Sequence, residues 1–300
     1  MPKVSVIIIT YNRSELLRAA ITSVLEQSYQ DFELLVVDDA SSDNTAEVVQ
    51  GFDDKRIRYL RHETNKREAG ARNTGVQNST GEYIAFLDDD DEWLPKKLER
   101  QVELLDNSPR AVGGVYTGFI KMETTGKIVV QIVPSKRGNI LHDMFTQNWI
   151  GTPSTVLLRK ECFEKVGLFD RGIVFGPDYD MWIRISKEFQ FDYIGDPLVK
   201  YYVHDNKLST NCEIMIKGME AINRKYDQFF SLSSRNYSYR YLGLGVYYCY
   251  SGDMRKGREN LLKAIKLHPF EIRHYFNTCL SFFGAQNFRK IKELKEKWLT

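Results

Sequence analysis

The chain has 300 residues, of which 42% are hydrophobic, so it is long enough for one large domain or two smaller ones with a sizeable core. Its formal net charge of +2 lies close to neutrality. This balance lacks the concentrated positive charge of nucleic-acid-binding proteins, and no nucleic-acid partner is expected.

The sequence carries few targeting or redox signals. No run of about 18 apolar residues is present, so no transmembrane helix is predicted. The N-terminus enters a predicted strand after three residues, which leaves no room for a signal peptide. Four scattered cysteines form no C-x-x-C pair, and we expect them to be reduced, in a cytoplasmic protein: Cys162, Cys212, Cys249 and Cys279.

The first 90 residues alternate apolar strands with helical patterns. Continuous apolar runs predict buried strands at 4–9, 32–37, 57–60 and 83–87. One helix is predicted after Asn12, with Glu15 completing a capping box, a second opens at 41–44, and a third covers 69–78. Strands and helices at this spacing indicate a parallel, right-handed, Rossmann-like sheet.

From residue 94 the pattern indicates a more mixed sheet. Pro95 in a first turn predicts a helix that ends at Leu105, and another helix is predicted over 178–189. Further strands are predicted over 112–116, 128–133 and 198–203. Beyond residue 211 only helical patterns remain. We therefore predict a main α/β domain over 1–210 and an α-helical C-terminal extension over 211–300.

The extension contains one stretch with the spacing of a tetratricopeptide unit. The residues at that spacing are Tyr241, Leu244, Gly245, Tyr248, Gly252, Leu261, Ala264 and Pro269. Gly257 stands where a small residue lets two helices pack closely. A single copy favours a helical hairpin packed on the main domain, with a partner-binding surface as the alternative. The basic segment 287–300 is interpreted as a solvated terminal helix, with peripheral membrane contact as the alternative.

Polar side chains follow three of the predicted strands. Thr10 and Tyr11 follow the first, Asp38 and Asp39 the second, and the aspartates at 88–91 follow the strand ending at Leu87. Because ligands of such sheets bind at the carboxyl ends of the strands, these clusters are expected to converge on one edge. Consecutive carboxylates repel one another, so a divalent cation that shares its coordination with substrate phosphates is expected there.

Five ordered segments resemble family 2 glycosyltransferases, which have the GT-A fold. The resemblance covers roughly residues 3–205 and depends on the order and spacing of its segments. These segments are 4–13, 36–43, 71–73, 81–91 and 178–184. The resemblance implies an α/β, GT-A protein with a Rossmann-like mixed sheet flanked by helices.

The resemblance also implies a nucleotide-sugar donor at the sheet edge. Thr10 and Tyr11 would line the base pocket, and Asp39 would accept a hydrogen bond from the imide N–H of uracil. Asp88 or Asp89 would reach the ribose. For Tyr11 the alternative is closing the sheet edge, and for Asp39 it is a helix N-cap.

A divalent cation, Mn²⁺ or Mg²⁺, would join the donor diphosphate to the protein. By the resemblance Asp90 is its direct ligand, and His204 approaches the metal or the diphosphate. Arg72 would offset phosphate charge. The alternatives are a surface position for His204, a carboxylate partner for Arg72, and a solvated acidic loop for 88–91.

The predicted helix at 178–189 would supply the general base. Asp178 would take the proton of the acceptor hydroxyl, which implies a single displacement with inversion. Family members often have an acidic residue just before this aspartate, whereas this chain has a glycine–proline pair, so Asp180 stays an alternative. Trp182 is expected in the core, and Arg184 in a structural role.

The resemblance implies transfer of a sugar from a UDP-linked donor to a glycan, lipid-linked or protein acceptor in surface polysaccharide or glycoconjugate assembly. The sequence has no P-loop, no G-x-G-x-x-G after the first strand and no Q-x-x-R-W motif, which argues against P-loop, dinucleotide and processive enzymes. A sugar-phosphate nucleotidyltransferase is one alternative. A non-catalytic scaffold that binds through the helical tail is another.

Overall fold

The computed structural model of the protein describes residues 1–203 and 211–298, the last six by their backbone alone. The strands within these ranges form one sheet. They are β1 (Val4–Thr10), β2 (Phe32–Asp38), β3 (Ile57–Arg61), β4 (Tyr83–Asp88), β5 (Asp91–Trp93), β6 (Val112–Glu123), β7 (Ile128–Ile132), β8 (Val156–Arg159) and β9 (Gln190–Val203).

The helices of the first 203 residues lie between these strands. They are α1 (Ser14–Leu25), α2 (Thr45–Gln50), α3 (Arg67–Asn78), α4 (Lys97–Asp106), α5 (Leu141–Met144), α6 (Glu161–Val166) and α7 (Pro177–Glu188), with a 3-10 turn at Pro153–Thr155. The later helices are α8 (Cys212–Lys225), α9 (Asp227–Phe230), α10 (Ser234–Ser251), α11 (Met254–Leu267), α12 (Ile272–Leu280) and α13 (Gly284–Trp298), with a 3-10 turn at Ser281–Phe283.

The strand order is β3-β2-β1-β4-β8-β6-β9-β5, and β7 pairs with β6. The strands β3, β2, β1 and β4 are parallel, as the sequence predicted. Beyond them β8 runs antiparallel to both β4 and β6, which makes the sheet mixed. The buried apolar side chains of β1, β2 and β4 pack with those of α1 and α4 in one core. Burial on both faces explains why these strands read as continuous apolar runs.

Some local predictions were wrong. The capping box fails, because the N-cap residue of α1 is Arg13 and the side chain of Asn12 instead accepts the backbone N–H of Ser42 at 2.7 Å. The fourth helix begins at Lys97 rather than Pro95, since the chain first forms β5 against β9 and Leu94 N–H bonds to the carbonyl of Leu198. The last strand is also longer, at Gln190–Val203.

The described chain divides into two compact units. The first contains residues 1–144, 148–172 and 177–203, and the second contains 145–147, 173–176 and 211–298. No sequence pattern marks the two short segments as part of the helical unit. The domain limit near residue 210 stays a prediction.

In the second unit α10 and α11 form the predicted hairpin. A Cβ atom on Gly257 would lie 2.4 Å from Cys249 Sγ and 3.2 Å from its backbone nitrogen, and one on Gly245 would lie 3.0 Å from the Gly257 carbonyl oxygen. The two helices therefore touch through glycines. All four cysteines are free, as expected. Within 1–203 and 211–298, none of the helices is both long and apolar enough to cross a lipid bilayer.

Candidate active site

The sheet register brings the three polar clusters to one edge. Thr10 lies beside Asp38 on β2, and Ile9 lies beside Asp88 on β4. The hydroxyl of Thr10 donates to Asp89 Oδ2 at 2.8 Å, which joins the end of β1 to the aspartates after β4. The convergence expected from the sequence is therefore present in the fold.

Asp89 and Asp90 are buried and share one cation. Arg13 Nη1 lies 3.1 Å from Asp89 Oδ1 and 3.1 Å from Asp90 Oδ2. Burial raises the pKa of Asp89 to about 7, against the opposing charge of Arg13. The sequence analysis assigned no role to Arg13, although its position directly after Thr10-Tyr11-Asn12 was a signal. Both buried carboxylates therefore contact the same guanidinium.

Asp88 is held from two sides. Arg72, a buried residue of α3, donates from Nη2 to Asp88 Oδ1 at 2.9 Å, and Thr152 Oγ1 donates to Asp88 Oδ2 at 3.3 Å. Arg72 also pairs with Glu68 at 3.2 Å. The sequence alternative for Arg72, a carboxylate partner, is thus present in the fold. Its Nε is buried and has no hydrogen-bond partner within the described part of the chain.

The fourth aspartate has a structural position. Asp91 is almost fully buried and accepts the hydroxyl of Ser154 at 2.7 Å. Ser154 Oγ in turn accepts the backbone N–H of Asp88 at 3.1 Å, and its carbonyl accepts Trp93 Nε1–H at 2.8 Å. The 3-10 turn before β8 therefore fixes the geometry of the aspartates. No sequence pattern marked Thr152 or Ser154.

Asp39 lies in a polar network rather than at a helix N-cap. Its Oδ1 is 2.7 Å from His62 Nδ1 and accepts the backbone N–H of Lys66 at 2.8 Å. His62 Nε2 lies 2.8 Å from Thr74 Oγ1. Asp38 accepts the Ser41 N–H at 2.7 Å, so it fixes the loop after β2. The sequence analysis assigned no role to His62, because its neighbours in the chain do not distinguish it from a surface histidine.

The structure distinguishes the two aspartates at the start of α7. Asp180 is fully buried and pairs with Arg184 Nε at 2.9 Å, and Arg184 also donates to the carbonyls of Val166 and Leu168. Asp178 is half-buried, and its burial raises its pKa to about 6, while the charge of Arg72 opposes that rise. The ion pair with Arg184 therefore gives Asp180 a structural role, and Asp178 has no such role.

The remaining predicted residues differ in their exposure to solvent. Tyr11 is 48% exposed, at the rim of the sheet edge, so its ring face is accessible. Trp182 is fully buried, which confirms its predicted place in the core. His204, the second predicted metal contact, lies outside the described residues.

A cationic cavity of about 410 Å³ opens at the start of α3. Its lining residues are Asn65, Lys66, Arg67, Arg171 and Gly172. The three cations of this lining have no ion-pair partner within residues 1–203 and 211–298. Arg67 has a φ of +62°, which is unusual for a residue with a Cβ, and its N–H is held by Asn65 Oδ1 at 3.0 Å.

The aspartates at the sheet edge are the candidate ligands for a divalent cation. In the part of the chain described here, no group of three or more His, Cys, Asp or Glu side chains is arranged to hold one. The carboxylates of Asp88 and Asp90 nevertheless suit Mg²⁺ or Mn²⁺, which take oxygen ligands and leave several positions to water and phosphate. These residues therefore fit a metal whose remaining positions water and substrate phosphates would fill.

Comparison with known proteins identifies the family of the chain. Residues 5–167 match the model of the family described as "Glycosyl transferase family 2". This chain belongs to glycosyl transferase family 2. The sequence of this glycosyltransferase is 37% identical over 212 residues to that of WfgD of Escherichia coli. The alignment covers 69% of this chain and 80% of WfgD. WfgD is named as a UDP-Glc:alpha-D-GlcNAc-diphosphoundecaprenol beta-1,3-glucosyltransferase.

Solved structures show the same fold for this family 2 chain. A mannosyltransferase of Pyrobaculum calidifontis, in complex with GDP-Man and Mn²⁺, has a TM-score of 0.60 at 16% identity over 99% of this chain and 87% of the other. Residues 1–349 of TarS from S. aureus, in complex with UDP-GlcNAc, have a TM-score of 0.59 at 17% identity over 98% and 92%. The fold is GT-A, as the sequence predicted.

Proposed function

We propose that this glycosyltransferase moves a sugar from a UDP-sugar to a hydroxyl group of a lipid-linked glycan, with inversion, in the assembly of a cell-surface polysaccharide. The observation that carries the proposal is the placement of Asp88 and Asp178 around Arg72, beside Asp89 and Asp90 against Arg13, at one sheet edge. The name of WfgD supports both the UDP-linked donor and the lipid-linked acceptor.

The donor would lie across the ends of β1, β2 and β4. The exposed ring of Tyr11 offers a stacking surface for the base, and Asp39 offers a carboxylate to its imide N–H. Asp88 and Asp89 would face the ribose and the diphosphate, with Arg13 and Arg72 supplying positive charge. Asp90 would be the metal ligand. A bound Mn²⁺ or Mg²⁺ would act as a Lewis acid that stabilises the charge of the departing UDP.

Asp178 would act as the base. The acceptor oxygen forms its bond to the anomeric carbon, the bond from that carbon to the diphosphate oxygen breaks, and the hydroxyl proton passes to the Asp178 carboxylate. UDP leaves with the bonding electron pair. The raised pKa of Asp178, about 6, makes it a better proton acceptor than an ordinary aspartate while it stays ionised near pH 7.

The cationic cavity would take a negatively charged part of the donor. Lys66 donates its backbone N–H to Asp39, the proposed base contact, so the cavity would adjoin a nucleotide bound there. The positive end of the α3 dipole lies at Arg67 and adds to the three side-chain charges. A diphosphate or an acidic sugar fits this chemistry.

The test is UDP release from UDP-sugars with Mn²⁺ and a polyprenyl-diphosphate-linked sugar as acceptor. We expect acceptor-dependent UDP release that a chelator abolishes, and a product of inverted anomeric configuration. The nucleotidyltransferase alternative predicts pyrophosphate from UTP and a sugar phosphate instead. The scaffold alternative predicts no turnover with any donor.

A further inference from the structure

Helix α12 in the second unit is oriented opposite to an ordinary amphipathic helix. The residues it buries include His274, Asn277 and Thr278, which are polar. Ile272 and Tyr275 lie three positions apart on its other side and are exposed, Ile272 by 79%. A surface helix normally places its apolar stripe against the core and its polar residues in water. The apolar side of α12 therefore faces outward.

Polar contacts hold the helix in this orientation. His274 Nε2 lies 3.0 Å from Ser238 Oγ on α10, and both residues are buried. Burial lowers the pKa of His274, which favours the neutral ring. Tyr239 on α10 also donates to Glu271 at 2.5 Å, just before α12 begins. His274 thus joins the buried polar side to α10, whereas Asn277 and Thr278 donate to carbonyls of α12 itself. Turning the helix over would break the His274 contact.

Exposed aromatic residues also flank the helix along the chain at both ends. Phe270, two residues before α12, is 93% exposed, and Phe282 and Phe283, directly after it, are 67% and 65% exposed. We call this surface the aromatic face, and its residues are Phe270, Ile272, Tyr275, Phe276, Phe282 and Phe283. Exposed aromatic residues in this number within 14 positions mark an interaction surface rather than scattered surface residues.

The surroundings of the aromatic face are strongly basic. Residues 254–292 contain nine lysines and arginines against two glutamates, whereas the whole chain carries only +2. The rest of the chain is therefore net negative. Arg258 lies over the ring of Phe282, with 5.2 Å between Cζ and the ring centroid. Positive charge thus lies next to the aromatic residues themselves.

We propose that the aromatic face binds the surface of an anionic lipid membrane. Phenylalanine, tyrosine and isoleucine beside lysine and arginine are the composition of segments that lie in the membrane interface, where apolar rings enter the headgroup boundary and cations contact acidic lipids. A second copy of the chain fits less well, because two such segments would bring like charges together. The sequence pattern had pointed to 287–300 for membrane contact; the exposed aromatic residues lie upstream of it.

The test is flotation of the full chain with vesicles of phosphatidylglycerol and phosphatidylcholine, and with vesicles of phosphatidylcholine alone. We expect binding to the anionic vesicles that weakens with salt. The double variant Phe282→Ser/Phe283→Ser should partition at least about tenfold less. The matched control is Leu232→Ser, because Leu232 is 80% exposed in the same unit but outside the aromatic face. Lys263→Gln/Lys266→Gln should weaken binding and flatten its salt dependence.

Three results would overturn the proposal: no flotation of the unaltered chain, equal binding to neutral vesicles, or equal loss in the Leu232→Ser control. Concentration-dependent dimers that the double phenylalanine variant abolishes, without vesicle binding, would assign the face to a second copy. Melting temperature and UDP binding of each variant check that it is folded. Melting temperature and UDP binding do not depend on lipid. A failure of the membrane proposal can therefore be told apart from a failure of the proposed sugar transfer.

Discussion

The buried Arg72 and the half-buried Asp88 form an ion pair, with 2.9 Å between Nη2 and Oδ1. The same guanidinium lowers the pKa of Asp178, which burial raises. One cation on α3 therefore acts on the aspartate at the end of β4 and on the proposed base of α7. Because both carboxylates depend on this charge, their roles can be separated only by changing each aspartate alone.

The first prediction concerns the proposed metal ligand. Asp90→Asn keeps the size of the side chain and removes its charge, so Mn²⁺-dependent affinity for UDP should fall by at least about tenfold. Asp53→Asn, an exposed aspartate in the same unit, is the control and should bind UDP normally. Calorimetry with and without Mn²⁺ measures both. Unchanged UDP binding by Asp90→Asn would remove Asp90 from the ligand set.

The second prediction separates Asp178 from Asp180. Asp178→Asn should retain UDP affinity and lose about 10²–10⁴-fold in kcat, because it can no longer accept the proton. Asp180→Asn should retain most of the turnover per folded molecule but lose on the order of 3 kcal/mol of stability, since it leaves the charge of Arg184 without its partner. Steady-state kinetics and urea unfolding of both variants decide which aspartate is the base. The reverse pattern would move the base to Asp180.

The sequence predicted the parallel part of the sheet and its polar edge well. Strands buried on both faces must be apolar throughout, and β1, β2 and β4 show this directly. Other contacts join residues far apart in the chain, so no periodic sequence pattern predicts them. They are the hydrogen bonds of Asp88 with Thr152 and Ser154, and the contact of Asp39 with His62. The short β5 was missed because its pairing with β9 decides its structure.

In helix α12 the hydrophobic spacing does not indicate which side is buried. The spacing of Ile272 and Tyr275 is typical of a buried helix face, yet that face is exposed. Hydrophobic periodicity identifies which residues share a side of a helix, and it does not say which side meets the protein. In α12 a buried hydrogen bond between His274 and Ser238 keeps the polar side against α10 instead.

The third prediction concerns pH. Asp178 must be ionised to accept a proton, and its pKa of about 6 lies above the usual aspartate value. Turnover at saturating substrate should therefore rise between about pH 5 and pH 7 and level off above. Asp178→Asn should lose this rise in its residual activity. The measurement is kcat against pH at constant ionic strength. A limb that persists unchanged in Asp178→Asn would show that another group titrates.

The fourth prediction concerns the cationic cavity. Arg67→Gln and Arg171→Gln should each raise KM for the nucleotide sugar by about tenfold, because a charge-assisted hydrogen bond contributes roughly that much. Arg110→Gln is the control, since Arg110 is highly exposed in the same unit and lies outside the cavity. Steady-state kinetics with donor and acceptor varied separately provide the measurement. A rise confined to the acceptor KM would reassign the cavity to the acceptor.

The fifth prediction concerns the glycine contact between α10 and α11. Gly257→Ala would place a methyl group 2.4 Å from Cys249 Sγ and 3.2 Å from the Cys249 backbone, so the two helices must separate. We expect a loss of about 1–3 kcal/mol in the stability of the second unit. Gly243→Ala is the matched control on α10, because its new methyl meets only the flexible end of Met219. That variant should be neutral or slightly stabilising, as alanine favours helix. Thermal unfolding measures both variants, and equal melting temperatures for the two would contradict the close packing of the hairpin.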